Sequence, residues 1–210
     1  MRSSKTGTII AIDGPDGVGK STQIELLSKH LKANGKTIHV TRASGGTPIG
    51  EELRKASLSL HPRPVETDLY ISLAMHTALG YDLKKRKSAG EFVLVDRSPL
   101  TIVAYQVFGN HLSPSTAGYE ACVKMLKLWD ADILFMLEAP QSILDKRRQK
   151  RVKATDYFEE KSVDYHHRVQ MGYTKAVQAA KELHLPLEII TIDAQPSVAA
   201  INRNILQHIL

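Results

Sequence analysis

Short, near-continuously apolar runs recur along the chain, separated by longer stretches whose apolar residues return every third or fourth position. The runs at 8–13, 36–41, 92–96, 132–138 and 188–193 have the length and β-branched content of strands. Phe92-Val93-Leu94-Val95 shows no polar alternation, the pattern of a strand buried on both faces. The helical periods fall at about 20–33, 48–58, 65–88, 99–108, 115–129, 140–149, 156–183 and 196–209. Such alternation predicts an α/β fold, a five-stranded parallel sheet with helices on both faces. Ligands of such sheets bind beyond the carboxyl ends of the strands. Asp13, Thr41-Arg42 and Asp96-Arg97 end their runs and are expected to converge on that edge. Pro62 and Pro64 mark a loop, as do residues 110–116, but neither has the character of a linker. A single domain over 1–210 is expected.

Composition narrows the class. An apolar content of 42% and a charged content of 24% are those of a soluble globular protein. Cys122 is the sole cysteine, so no disulfide forms within the chain. Met1 to Gly7 lacks the apolar core of a signal peptide, and no run is long enough to cross a bilayer. A cytoplasmic protein without a membrane partner is expected. The net charge of +6 suits anionic ligands. Lys84-Lys85-Arg86-Lys87 reads as a solvated helix end, while Lys146 to Lys153 holds six basic residues in eight. No aromatic residues interleave with either cluster, which argues against nucleic acid as a partner.

The first apolar run leads into Gly14-Pro15-Asp16-Gly17-Val18-Gly19-Lys20-Ser21, a complete G-x-x-x-x-G-K-[ST] loop followed by Thr22 and a helical period. Strand, glycine loop and helix together form a phosphate cradle. Its amides and the positive helix end face phosphate oxygens. Lys20 adds a point charge, and Ser21 offers an oxygen to Mg²⁺. The loop therefore predicts a bound nucleoside triphosphate. Asp96, at the end of an apolar run, has the position of a second Mg²⁺-holding group, and Arg97 lies at the same edge. No Asn-Lys-x-Asp string for guanine is present.

At this level of detail the chain resembles the thymidylate kinase family. Four segments carry the likeness: Asp13 to Gln23, Thr41 to Arg54 (TRASGGTPIGEELR), Asp96 to Gln106 (DRSPLTIVAYQ), and Leu137 to Tyr173. Thr191-Ile192-Asp193-Ala194 adds a fifth, shorter match. The resemblance implies a P-loop NTPase fold with a lid at about 147–157, and transfer of the ATP γ-phosphoryl to a nucleoside monophosphate with Mg²⁺. It implies that Arg97 and Arg42 grip the acceptor phosphate, that Arg147 and Ala194 lie near adenine, and that Tyr105 and Asp16 read a deoxyribose. Because Gly17 takes the place of a P-loop arginine, the resemblance assigns the catalytic charge to lid cations, Arg148, Arg151 and Lys153. It also implies a homodimer.

The departures gather at the acceptor base. Counting back from Gly90 and Asp96, the family's stacking phenylalanine falls at Ile71 and its base-binding arginine at Met75, with His76 pointing about 100° away. Thr101 and Gln106 remain as polar groups for the base. Ala43-Ser44 replaces Glu-Pro, and Tyr157 replaces a lid arginine. The expected acceptor is a deoxypyrimidine monophosphate, first dTMP. A changed acceptor, or a nucleotide-binding relative without activity, stays open.

Overall fold

The computed structural model describes residues 7–113, 118–149, 157–158 and 161–209. The five apolar runs become β1 (Thr8–Asp13), β2 (Ile38–Arg42), β3 (Phe92–Asp96), β4 (Ile133–Glu138) and β5 (Glu188–Asp193). They pair in parallel in the order β2-β3-β1-β4-β5. Between them lie α1 (Lys20–Ala33), α2 (Pro48–Leu58), α3 (Val65–Ser88), a π helix (Ile102–Gly109), α4 (Gly118–Trp129), α5 (Gln141–Gln149), α6 (Val163–Glu182) and α7 (Val198–Gln207). Alternate residues of each strand serve opposite cores. Ile9, Ala11, Val93 and Val95 pack with Leu79, Val103, Trp129 and Tyr173, under α3, α4, the π helix and α6. Ile10, Ile12, Leu94 and Phe135 pack with Ile24, Leu27, Ile201 and Ile205, under α1 and α7. Two-sided burial explains why the strands read as unbroken apolar runs.

Some boundaries move. The helix expected from 156 starts at Val163, where the Ser162 hydroxyl accepts the Tyr165 N–H at 3.2 Å and stops the helix from extending backwards. The helical stretch expected at 99–108 is largely a π helix. There the Tyr105 carbonyl accepts from the Tyr165 hydroxyl at 3.2 Å, and the Gly109 carbonyl from Arg168 at 2.9 Å, so side chains of α6 bond carbonyls of the wider turn. Gly172 lets α6 approach: a Cβ there would lie 2.8 Å from the Ala104 Cα. Among the described residues no helix is long and apolar enough to cross a membrane.

Candidate active site

The parallel register sets Ile12 and Arg42 level with Asp96, bringing three strand ends together. The P-loop leaves β1 here, and α1 begins at Lys20 behind Gly19 in a left-handed conformation. Lys20 Nζ donates to the Gly14 and Pro15 carbonyls at 2.8 and 3.1 Å and sits 3.9 Å from Asp16. Burial, then the nearby Arg97 charge, lower the Lys20 pKa to about 8 against the pull of Asp16, Asp96 and Asp13. Ser21 Oγ donates to Asp96 Oδ2 at 3.0 Å. The other Asp96 oxygen is buried without a hydrogen-bond partner among the described residues. An orphaned carboxylate oxygen beside a hydroxyl is a hard-oxygen pair that fits Mg²⁺.

Behind the loop, Asp13 is fully buried and its carboxylate accepts from the amides of Gly14 and Ser98 at 2.7 and 2.8 Å. It also takes the hydroxyls of Ser98, Thr101 and Tyr173 at 2.6, 3.0 and 2.8 Å. Thr101, expected to read the base, lines the cavity but commits its hydroxyl to this hub. Arg97 follows β3 at φ 75, and its amide donates to the Ile12 carbonyl at 2.9 Å. A non-glycine residue held there costs about 1–3 kcal/mol, a strain that gathers at functional sites. The guanidinium donates to Asp16 at 2.5 Å and to Tyr173 at 3.1 Å, and the Tyr105 hydroxyl donates to the other Asp16 oxygen at 2.6 Å. Burial works against the Arg97 charge, but Tyr105, Asp16 and their neighbours outweigh it and hold the cation.

One cavity joins these groups. Lys20, Ser21, Arg42, Asp96 and Arg97 line it. Arg42 bonds Glu51 at 2.6 Å, and Glu51 also accepts the Gly46 amide at 2.8 Å. Arg54, not assigned a role from sequence although it closes the TRASGGTPIGEELR string, lines the cavity and donates to the Ser44 carbonyl at 2.7 Å. Leu58, Ser72, His76, Ile102, Gln106 and Phe158 line the cavity too. Ile71 and Met75 do not. Met75 is 1% exposed and belongs to the core, and the pair facing the cavity is Ser72 and His76. The count back from Asp96 assumed a connection of family length; an offset of one residue turns a helix by about 100°, enough to exchange the faces.

At the other side of the P-loop, Gly17 has φ 88, and a Cβ there would lie 3.2 Å from the Leu144 carbonyl and 3.4 Å from Arg148 Cγ. The loop position that lacks a side chain is thus packed against α5. Arg147 donates to the Ala194 carbonyl at 2.9 Å and reaches the Val18 carbonyl at 3.4 Å. Arg148 is ion-paired with Asp145. Arg151 and Lys153 lie outside the described residues. Phe158 sets its ring edge-on to Tyr105 at 6.1 Å, and Tyr157 lies between Arg63 at 4.1 Å and Lys161 at 4.0 Å. Trp129 is fully buried, and burial pushes the Cys122 thiol up to about 12, leaving it inert.

The model of the family described as thymidylate kinase matches residues 12–205. The chain belongs to the thymidylate kinase family. It is 32% identical over 207 residues to the thymidylate kinase of Acinetobacter baylyi, covering 95% of this chain and 97% of that one. The thymidylate kinase of Exiguobacterium sibiricum is 31% identical over 227 residues, covering 98% and 95% of the two chains, and that of Nitrosospira multiformis is 33% identical over 202 residues, covering 95% of each. The resemblance drawn from the four motif segments therefore extends across the chain. Ser72 and His76 of α3, and Phe158 of the altered lid string, line the cavity.

Proposed function

We propose that this chain transfers the γ-phosphoryl group of ATP to a deoxypyrimidine nucleoside monophosphate, dTMP first, giving ADP and the diphosphate. The observation that carries this is one cavity lined by two cationic groups, Lys20 of the P-loop and Arg97, which is tethered by Asp16. Phosphoryl transfer needs alignment of two phosphates and positive charge at the transferring group more than covalent help. Lys20 exchanges the Gly14 and Pro15 carbonyls for β- and γ-phosphate oxygens, and the amides from Gly14 to Thr22 enclose them. Arg97 and Arg42 hold the acceptor phosphate in line. Asp96 and Ser21 would hold Mg²⁺, which neutralises charge on the phosphate oxygens when bound. Arg147 and Ala194 frame the adenine, while Arg148, Arg151 and Lys153 bring positive charge. Tyr105 and Asp16 flank the sugar, where a tyrosine ring disfavours a 2′-hydroxyl.

The protein acts in the cytoplasm as a homodimer in this proposal. Support for the dimer comes from α3: Leu69, Met75, Leu79 and Leu83 enter the core, while Tyr70 and Tyr81 are 63% and 66% exposed on the opposite side. The test is ADP formation from ATP and Mg²⁺ with a panel of nucleoside monophosphates. dTMP should be phosphorylated, and Lys20→Ala should reduce turnover by roughly 100-fold or more with the fold retained by circular dichroism. Use of a purine nucleotide alone, or full activity in Lys20→Ala, would refute the assignment.

A further inference from the structure

We propose that the Tyr173 hydroxyl is a positioning group for Arg97, aiming its guanidinium at the acceptor phosphate without touching substrate; this rests on the kinase reading above. Tyr173 belongs to α6, is 2% exposed, and is not among the residues that line the cavity. Its hydroxyl stands between two charges. It donates to Asp13 Oδ1 at 2.8 Å and accepts from Arg97 Nη1 at 3.1 Å. A carboxylate only accepts and a guanidinium only donates, so a group placed between them must do both, and a hydroxyl does. The ring fixes where that hydroxyl lies. It meets Tyr105 edge-on, with centroids 6.1 Å apart and planes at 84°. Next to it, Gly172 brings the backbone of α6 against Ala104, where a Cβ would lie 2.8 Å from the Ala104 Cα.

The two charges depend on this hydroxyl unequally. Asp13 has four further donors, the amides of Gly14 and Ser98 and the hydroxyls of Ser98 and Thr101. The Arg97 guanidinium bonds Asp16 through Nη2, with the Tyr105 hydroxyl farther from the same nitrogen at 3.4 Å, and Tyr173 through Nη1. A contact on one nitrogen fixes a distance, whereas contacts on two nitrogens fix the plane of the fork. The plane decides which N–H groups face a phosphate. The backbone of Arg97 is already set at φ 75, with its amide on the Ile12 carbonyl. Without the Tyr173 hydroxyl the side chain starts from the same place but pivots on its bond to Asp16. Asp13 keeps its hold on the Gly14 amide, so the loop that seats ATP is left in order. The loss therefore falls on the acceptor side and on the alignment of the two phosphates.

The experiment measures dissociation constants for dTMP and for thymidine, which lacks the phosphate, with kcat and the ATP KM, in wild type, Tyr173→Phe, Ser98→Ala and Arg97→Gln. Wild type should bind dTMP tighter than thymidine by about tenfold or more, and Arg97→Gln should lose that advantage. Tyr173→Phe should cut the advantage by about fivefold or more, leaving thymidine binding and the ATP KM within about twofold of wild type. Its kcat should fall by roughly tenfold or more, as misaligned reacting groups require. Ser98→Ala takes a hydroxyl from Asp13 but spares both Arg97 contacts, so the advantage should stay. If Tyr173→Phe does not fold, Tyr173→4-aminophenylalanine keeps a donor for Asp13 while offering Arg97 no good lone pair, and the same losses are expected. A hydroxyl that merely stabilised the fold would weaken dTMP, thymidine and ATP alike. That uniform loss, an unmoved advantage in the position 173 variants, or an equal drop in Ser98→Ala overturns the role of Tyr173 while the kinase assignment stands. An Arg97→Gln enzyme that keeps the advantage, or a wild type that has none, overturns the phosphate grip of Arg97 as well. Failure of wild type to phosphorylate any pyrimidine monophosphate overturns the kinase reading itself.

Discussion

Lys20 bonds to carbonyls of the very loop that would seat the phosphates. Its pKa of about 8 follows from that burial and from Arg97 nearby. Phosphate oxygens at the same place favour the ammonium form and raise the value on binding. Above about pH 8 the free enzyme holds neutral Lys20, so ATP binding there takes up a proton and weakens as pH rises; below it, binding is proton-neutral at this group. Calorimetric titrations at pH 8.5 in two buffers of different ionisation enthalpy should reveal net proton uptake that is absent in Lys20→Ala. Equal uptake in both proteins would place the titrating group elsewhere. At this scale the motif residues were legible because their spacing fixes them against a strand end, as with Lys20, Ser21, Asp96 and Arg97. His76, Arg54 and Phe158 were not, since their roles depend on helix rotation and on where loops return. Thr101 was legible as a site residue but not as a ligand of Asp13, a contact that joins positions 88 residues apart.

The strands were readable as elements because burial on both faces leaves no polar position to confuse the pattern. The π helix was not, because the Tyr165 and Arg168 side chains that bond its carbonyls come from another helix, far along the chain. Contact between that helix and α6 depends on Gly172, where a Cβ would meet the Ala104 Cα and Phe108 Cβ, each at 2.8 Å. Backbone on one side cannot yield without moving Tyr105, and α6 carries Tyr173 at the Asp13 hub. Gly172→Ala should cost about 1–3 kcal/mol, seen as a lower Tm, and should raise KM for the acceptor more than for ATP. An unchanged Tm would mean that the two helices separate freely and that the close approach is not needed.

At the scale of the molecule, the sheet order sets the P-loop and Arg97 on neighbouring strand ends, and α3 lines the cavity they share. That helix has a second face. Ser72 and His76 turn towards the cavity, while Tyr70, Ala74 and Tyr81 are exposed. In the proposed homodimer, a partner seated on those tyrosines would stiffen the same rod that lines the cavity. Protein concentration then becomes a kinetic variable. Specific activity should fall as the enzyme is diluted through the dissociation constant of its own dimer, the acceptor KM rising as the ATP KM holds. Sedimentation velocity on the same dilution series would show whether the loss of activity tracks the appearance of monomer. Tyr70→Glu with Tyr81→Glu should bring the loss to concentrations at which wild type is fully active. Each protomer would thus act as a saturable activator of its neighbour, with turnover rising faster than linearly in enzyme when the protein is scarce.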